Sequence, residues 1–355
     1  MSDGAHVLFD PGPDTSADRG FVRTFLATFA GLCGATILAM LWLDPLGVFG
    51  TGRAPAMIVR ARDDKAAAFV QCQPAPQALI LGSSQSHTLR PACVSELTGL
   101  PAFNFAVDAA RSEDLLAISR FAQATAPGAL KLLIIGVDPV LFFNADQRGE
   151  LLAQSPHLRR YAPMRTSVLP FLGPELLGWQ SLTLAVASAQ RQLEPNPPPP
   201  AQSFGPDGLI HGERWDPQAG QTPKQLEQRI KRSIRIYANI YSNFTQLDAW
   251  RVEIFRELLG DAARRGIAVH AYIPAPHPKL AAAFDGKPRF LRRYRDTRGL
   301  LASLAEEGLL RYDALDEVGS FGGDPRAYFD GMHMLSSNAD RLLVAMFGRA
   351  GCAVQ

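Results

Sequence analysis

Two short stretches of the 355-residue chain hold side chains whose types and spacing suit acyl-transfer chemistry. The first is QALILGSS (77–84), where an apolar run ends abruptly in Gly82, Ser83 and Ser84. Such a run reads as a buried strand feeding a tight turn. Gly82 permits a sharp bend, and the hydroxyls after it stand where the N-terminal N–H groups of a following helix stabilise negative charge. The second is AYFDGMHML (327–335), where Asp330 and His333 lie three apart in a short loop before the helical stretch SSNADRLLVAMFG. At that spacing both side chains can point the same way. Asp330 can then hold one imidazole nitrogen of His333 while the other faces a hydroxyl, as a serine nucleophile requires. Gly-Ser turns and Asp-x-x-His surface pairs are each common, so neither motif speaks alone.

Positioning such groups requires rigid elements on either side. Apolar runs recur at PAFNFAV (101–107), KLLIIGV (131–137) and IAVHAYI (267–273), separated by helical segments over 112–126 and 250–265. Buried strands alternating with amphipathic helices predict an α/β fold with a mostly parallel sheet covered on both faces. In such sheets reactive groups gather at the carboxyl ends of the strands, and the turn after LIL is one of these places. Residues 145–222 break the pattern with EPNPPPP (194–200), many glycines and no clean periodicity, and predict an insertion or cap over the domain. The polyproline run reads as an irregular spacer. Two helices over 223–265 return the chain to the sheet.

Residues 24–43, TFLATFAGLCGATILAMLWL, hold no charge and have the length of a membrane-crossing helix. No A-x-A-like cleavage site follows, which favours a retained anchor over a cleaved signal. Arg19 and Arg23 precede the run and Asp44 follows it, so the positive-inside tendency predicts a cytoplasmic N-terminus and a periplasmic main domain. The expected organisation is a disordered cytoplasmic tail over 1–18, an anchor over 19–45 and a periplasmic domain over 46–355.

Thirty-six basic and 34 acidic residues leave a net charge of +2, which lends no support to nucleic-acid binding. The four cysteines form no CxxC pair and do not cluster with histidines, so no metal site is expected. Cys72 and Cys93 flank the serine motif and suit either a disulfide or small buried hydrophobes. His87 reads as a substrate contact or a solvated side chain at a helix start. His277, in PAPHP, suits a substrate rim or an ordinary loop. His270, inside its strand, reads as a hydrogen-bonded core histidine, and the arginines at 289, 292, 293, 295 and 298 as a solvated helix face.

Together, in this order and at opposite ends of one α/β unit, the two motifs resemble the SGNH/GDSL hydrolase superfamily over about residues 77–345. The succession of anchor, LDPLGVFG, LILGSSQS, FNFAVDAA and FDGMH is similar, more narrowly, to membrane-anchored SGNH-like proteins of bacterial envelope polysaccharide O-acylation. Relatives of the alginate O-acetylation proteins and of the D-alanylation protein of teichoic acid synthesis belong to that group. The resemblance implies a three-layer, flavodoxin-like fold with Ser84 as nucleophile, His333 as base and Asp330 as its partner. It puts Ser83 where the family has aspartate, Ala109 where it has a glycine, and Gly136-Val137-Asp138 on its Gly-x-Asn. The implied oxyanion donors are the N–H groups of Ser84 and Ala109. An ionised Asp138 cannot donate, so it is expected to turn outward behind Pro139, with Asn144 as the replacement amide. Asp138 otherwise belongs with His87 and His277 among the candidate rim residues.

The implied activity is O-acyl transfer to, or ester hydrolysis on, an envelope glycan in the bacterial inner membrane, with no soluble cofactor and a multi-pass membrane-bound O-acyltransferase as acyl-donor partner. The rival reading is a non-catalytic, membrane-tethered glycan-binding or scaffolding subunit, favoured by the departures at Ala109 and Asp138. A lipid or small-ester hydrolase shares the triad but gains nothing from a single anchor.

Overall fold

The computed structural model describes residues 15–44, 60–146, 149–164, 178–193, 203–212, 221–348 and 352. The expected tail over residues 1–14, most of LDPLGVFG and the EPNPPPP run lie outside the described residues. The chain divides into two units, one within 1–58 and 169–197 and the other within 59–168 and 198–355.

The first unit contains helix α1 (Thr15–Leu43), which begins inside the segment expected as tail. The helix thus starts ahead of its uncharged run over 24–43. Its portion Gly20–Leu43 has a mean hydropathy of 1.9 and is long and apolar enough to cross a membrane. Phe21, Phe25, Leu26, Phe29 and Leu32 all project from it exposed. A helix from the interrupting segment, Trp179–Leu193, packs against α1. Residues 169–197 of the interrupting stretch group with the apolar helix, and the rest of it groups with the second unit.

The second unit is the predicted α/β domain. After α2 (Ala61–Gln71), strands β1 (Ala78–Gly82), β2 (Ala102–Asn104) and β3 (Leu132–Gly136) alternate with α3 (Pro91–Thr98) and α4 (Ser112–Thr125). A hairpin, β4 (Ser203–Phe204) with β5 (Ile210–His211), precedes two long helices, Pro223–Asn243 and Ala249–Arg264. Strand β6 (Ala268–Tyr272), a helix at Pro288–Glu306, β7 (Arg311–Asp313) and a helix at Ser336–Phe347 complete it. Five of these seven strands form one all-parallel sheet in the order β2-β1-β3-β6-β7.

Alternation along the strands divides the interior into two cores. Leu79, Leu81, Leu133 and Ile135 face one side with Phe103, Leu115 and Phe255, while Ala78, Ile80, Leu132 and Ile134 face the other with Val94, Leu97 and Leu342. Layers on both faces explain why these strands are apolar at every position rather than at every second one. The order of strands reverses between β1 and β3, and in doubly wound sheets that is where a crevice opens at the carboxyl ends.

Cys93 pairs with Cys352 across a sequence separation of 259, whereas Cys72 is free and donates to the carbonyls of Ala68 and Pro206. Of the two readings open for Cys72 and Cys93, a disulfide between them is excluded. Cys93 lies on α3 among core residues, next to the returning C-terminal segment.

Candidate functional site

At the carboxyl end of β1 the chain turns through Gly82, with φ of 148°, into a single 3-10 turn at Ser84–Ser86. Gly82 and its register partner Gly136 on β3 lack Cβ atoms for the same reason: a Cβ on either would run into Ser86 Oγ. Ser86 settles into this notch and shares a hydrogen bond of 3.0 Å with the Tyr272 hydroxyl at the end of β6. From Ala78 to Leu89 every residue is buried except Ser84, which is half-buried. The turn therefore presents one hydroxyl to the outside.

That hydroxyl lies 2.9 Å from His333 Nε2. His333 Nδ1 lies 2.9 Å from both carboxylate oxygens of Asp330. Asp330 Oδ1 also accepts the backbone N–H groups of Met332 at 2.8 Å and His333 at 3.0 Å, which fixes the carboxylate relative to the ring. Burial works to raise the Asp330 pKa, but the hydrogen bond and charge of His333, with the two N–H groups, hold it below the ordinary carboxylate value. Residues 84, 330 and 333, separated by nearly the whole domain in sequence, thus form one continuous hydroxyl–imidazole–carboxylate chain. Such an arrangement can deprotonate the serine as it attacks a carbonyl and stabilise the imidazolium that results.

The loop bearing Asp330 is braced from two sides. The Gly331 N–H donates to Ser233 Oγ at 3.2 Å, from the Pro223–Asn243 helix, and the His277 N–H donates to the Gly331 carbonyl at 3.0 Å. His277 is buried, accepts the Lys279 N–H on Nδ1 at 3.0 Å to cap a short helix, and meets Tyr328 edge-on. It braces the loop and does not form a substrate rim. Arg229 lies over the Phe329 ring at 4.0 Å, beside the same loop.

Asp138 does not turn outward. It is 4% exposed, and its carboxylate accepts from Ser83 Oγ at 2.7 Å, Gln85 Nε2 at 2.9 Å and the Val140 N–H at 2.7 Å. Proline at 139 does hold Asp138 in extended backbone, yet the side chain folds back to cap the next 3-10 turn and grips both neighbours of Ser84. Asp138→Asn is accordingly expected to lower turnover by about tenfold or more, because one face of the amide would present a donor where Ser83 and Gln85 already donate. A rate gain in steady-state ester hydrolysis would contradict this placement.

Asn144 is used elsewhere: its Nδ2 donates to Thr245 Oγ1 at 2.8 Å and its Oδ1 accepts the Thr245 N–H at 3.3 Å. It ties two loops together and is corrected as an oxyanion candidate. Ala109 is one of two non-glycine residues with positive φ among the described residues, at 49°. It sits in the loop after β2, a conformation that glycine favours.

His87 is fully buried rather than solvated. Its Nε2 lies 3.1 Å from Asp108 Oδ1 and its Nδ1 lies 3.4 Å from Lys65 Nζ, which also donates to Asn104 Oδ1 at 3.3 Å. Burial, reinforced by Lys65, pushes the His87 pKa down to about 4, and burial brings the Lys65 amine down to about 7. Asp108 is pulled to about 2, its burial being outweighed by His87 and by the charges of Lys65 and Arg62. Asn104 is buried and its Nδ2 donates to the carbonyls of Ser86, His87 and Leu89, so it holds the far side of the serine turn.

Lys65 and Asn104 escaped the sequence reading, although each carries a signal. Asn104 is the lone polar residue in the apolar run PAFNFAV, and a buried amide must find partners. Lys65 stands one turn before Phe69 on the apolar face of α2. His270 stays in its strand, half-buried and stacked on Phe347. Of the five arginines expected on a solvated face, Arg293 is buried, with Nη1 donating to the Thr245 carbonyl at 2.6 Å.

The chain matches no protein-family model and no curated protein sequence. The site is therefore defined by its own residues. Among them, the grouping of Cys93, Asp340 and Cys352 has metal-ligand types, but both sulfurs are joined in the disulfide and Asp340 pairs with Arg90 at 2.7 Å.

Proposed function

We propose that the protein is a serine-dependent O-acyltransferase or acylesterase acting on a cell-envelope glycan at a membrane surface. The observation that carries this reading is the unbroken chain from Ser84 Oγ through His333 to Asp330. Ser84 attacks an acyl ester carbonyl while His333 Nε2 takes the hydroxyl proton, and the tetrahedral intermediate collapses as His333 returns that proton to the leaving alkoxide. The acyl-serine then passes its acyl group to a sugar hydroxyl, or to water, with His333 again as base. No step needs a soluble cofactor.

Several features support the SGNH-like reading. Ser84 and the Asp330–His333 loop occupy the first and last blocks of the domain, and Ala109 takes positive φ where that family has glycine. Ser83 stands in the place of that family's aspartate, and its hydroxyl donates to Asp138. The apolar helix supports membrane tethering, and the Cys93–Cys352 disulfide supports an oxidising compartment. Together with Arg19 and Arg23 ahead of the uncharged run they favour a periplasmic domain on the inner membrane, where a multi-pass acyltransferase would supply the acyl group.

A fluorophosphonate probe, which reacts only with activated serines, is expected to label the full-length protein in membranes, with the adduct mapped to Ser84. Absence of labelling, with glycan acylation in cells unaffected by Ser84→Ala, would leave the scaffolding subunit as the better account.

A further inference from the structure

We infer that Arg62, Lys65 and His87 are positioning residues that hold the Asp108–Ala109 peptide so that its N–H serves as the second oxyanion donor for Ser84. The inference rests on the reading of Ser84 as nucleophile.

The peptide is gripped on its carbonyl side. Arg62 Nη1 donates to the Asp108 carbonyl at 3.2 Å, while Arg62 Nε is itself held by Asp114 Oδ1 at 2.8 Å. In a trans peptide the carbonyl and the following N–H point in opposite directions, so anchoring the Asp108 carbonyl on α2 turns the Ala109 N–H away from α2. Among the described residues no acceptor takes that N–H. The same loop runs beside the serine turn, since the Val107 N–H donates to the Gly82 carbonyl at 3.0 Å.

The side chain of Asp108 is held as well. With Lys65 donating to Nδ1 of His87, the ring proton lies on Nε2 and is donated to Asp108, giving a directed chain from the buried amine to the loop. Asp114 closes the segment from the other end by accepting the Arg111 N–H at 2.8 Å. Residues 108–111 are thus pinned before and after Ala109. Positive φ at a residue with a Cβ is strained and persists only where the surroundings enforce it.

Lys65 adds a second reason to read function here. It is fully buried, one turn after Arg62, and its hydrogen-bond partners are the neutral His87 and Asn104, with the Phe204 ring 4.7 Å away. An apolar side chain would fill that place at lower cost in desolvation. Retaining a donor at this point is explained if the orientation of His87, and through it Asp108, depends on it.

The test uses the full-length protein in detergent with p-nitrophenyl acetate as probe, following kcat, KM and thermal unfolding. Lys65→Met is expected to lower kcat by about tenfold or more with KM within twofold, since a misplaced oxyanion donor weakens the transition state and spares the bound ester. His87→Gln keeps a donor toward Asp108 and should retain more turnover than His87→Leu. Asp108→Ala, at a side chain 53% exposed, should lower kcat in the same direction. Unchanged kcat in Lys65→Met and Asp108→Ala, or equal losses in the two His87 variants that track thermal stability alone, would overturn the inference while Ser84-dependent turnover stood. Hydrolysis that survives Ser84→Ala would overturn the nucleophile reading and this inference with it.

Discussion

Ser84→Ala is expected to lower acyl-ester turnover by about 10⁴ to 10⁶-fold while leaving the fold intact. The size of the effect follows from the position of the hydroxyl. Ser84 is the one residue between Ala78 and Leu89 that is not buried. Its hydrogen bond runs to His333 Nε2, whose other nitrogen is held by Asp330. Removal of one oxygen therefore deletes the attacking atom and leaves the base without its proton donor, at a position that is only half-buried. Steady-state hydrolysis of an acetyl ester, with thermal unfolding as control, measures both. Turnover within tenfold of the wild type would show that the serine is not the nucleophile.

Asp330→Asn is the second large effect, a fall of about 10⁴-fold. Asp330 Oδ1 accepts the N–H groups of Met332 and His333, so an asparagine keeps its carbonyl oxygen in that position. The amide nitrogen then falls where Oδ2 now lies, 2.9 Å from His333 Nδ1. A donor facing Nδ1 forces the ring proton onto Nε2, and the imidazole can no longer accept the proton of Ser84. Geometry survives while the tautomer is wrong. The measurement is kcat for Asp330→Asn beside the Ser84→Ala and double variants. Because the three groups act as a unit, the double variant should be no slower than Ser84→Ala alone. Additive losses would mean that Asp330 acts on something other than the serine.

The sequence by itself determined the frame of this protein. Four apolar runs alternating with amphipathic helices suffice for a parallel sheet covered on both faces, because a strand buried on both sides must be apolar at every position. The twenty uncharged residues ending at Leu43 were legible for a similar reason, since being long and apolar enough to cross a membrane is a matter of length and composition. Gly82, Ser84, Asp330 and His333 were legible because their chemistry depends on local spacing within two short motifs.

What tertiary structure alone decided concerns partners distant along the chain. Cys93 meets Cys352 across 259 positions, a pairing that spacing near the serine motif could not indicate. Asp138 folds back onto Ser83 and Gln85 because the carboxyl ends of β1 and β3 are adjacent in register, and two donors there outweigh exposure to water. His277 and Asn144 carry suitable atoms, but His277 caps a helix and braces the Asp330 loop while Asn144 ties one loop to Thr245. His87 is buried because α2 delivers Lys65 to one nitrogen while Asp108 takes the other. A polar residue type states which bonds it can make; only the packed chain states which partners arrive to make them.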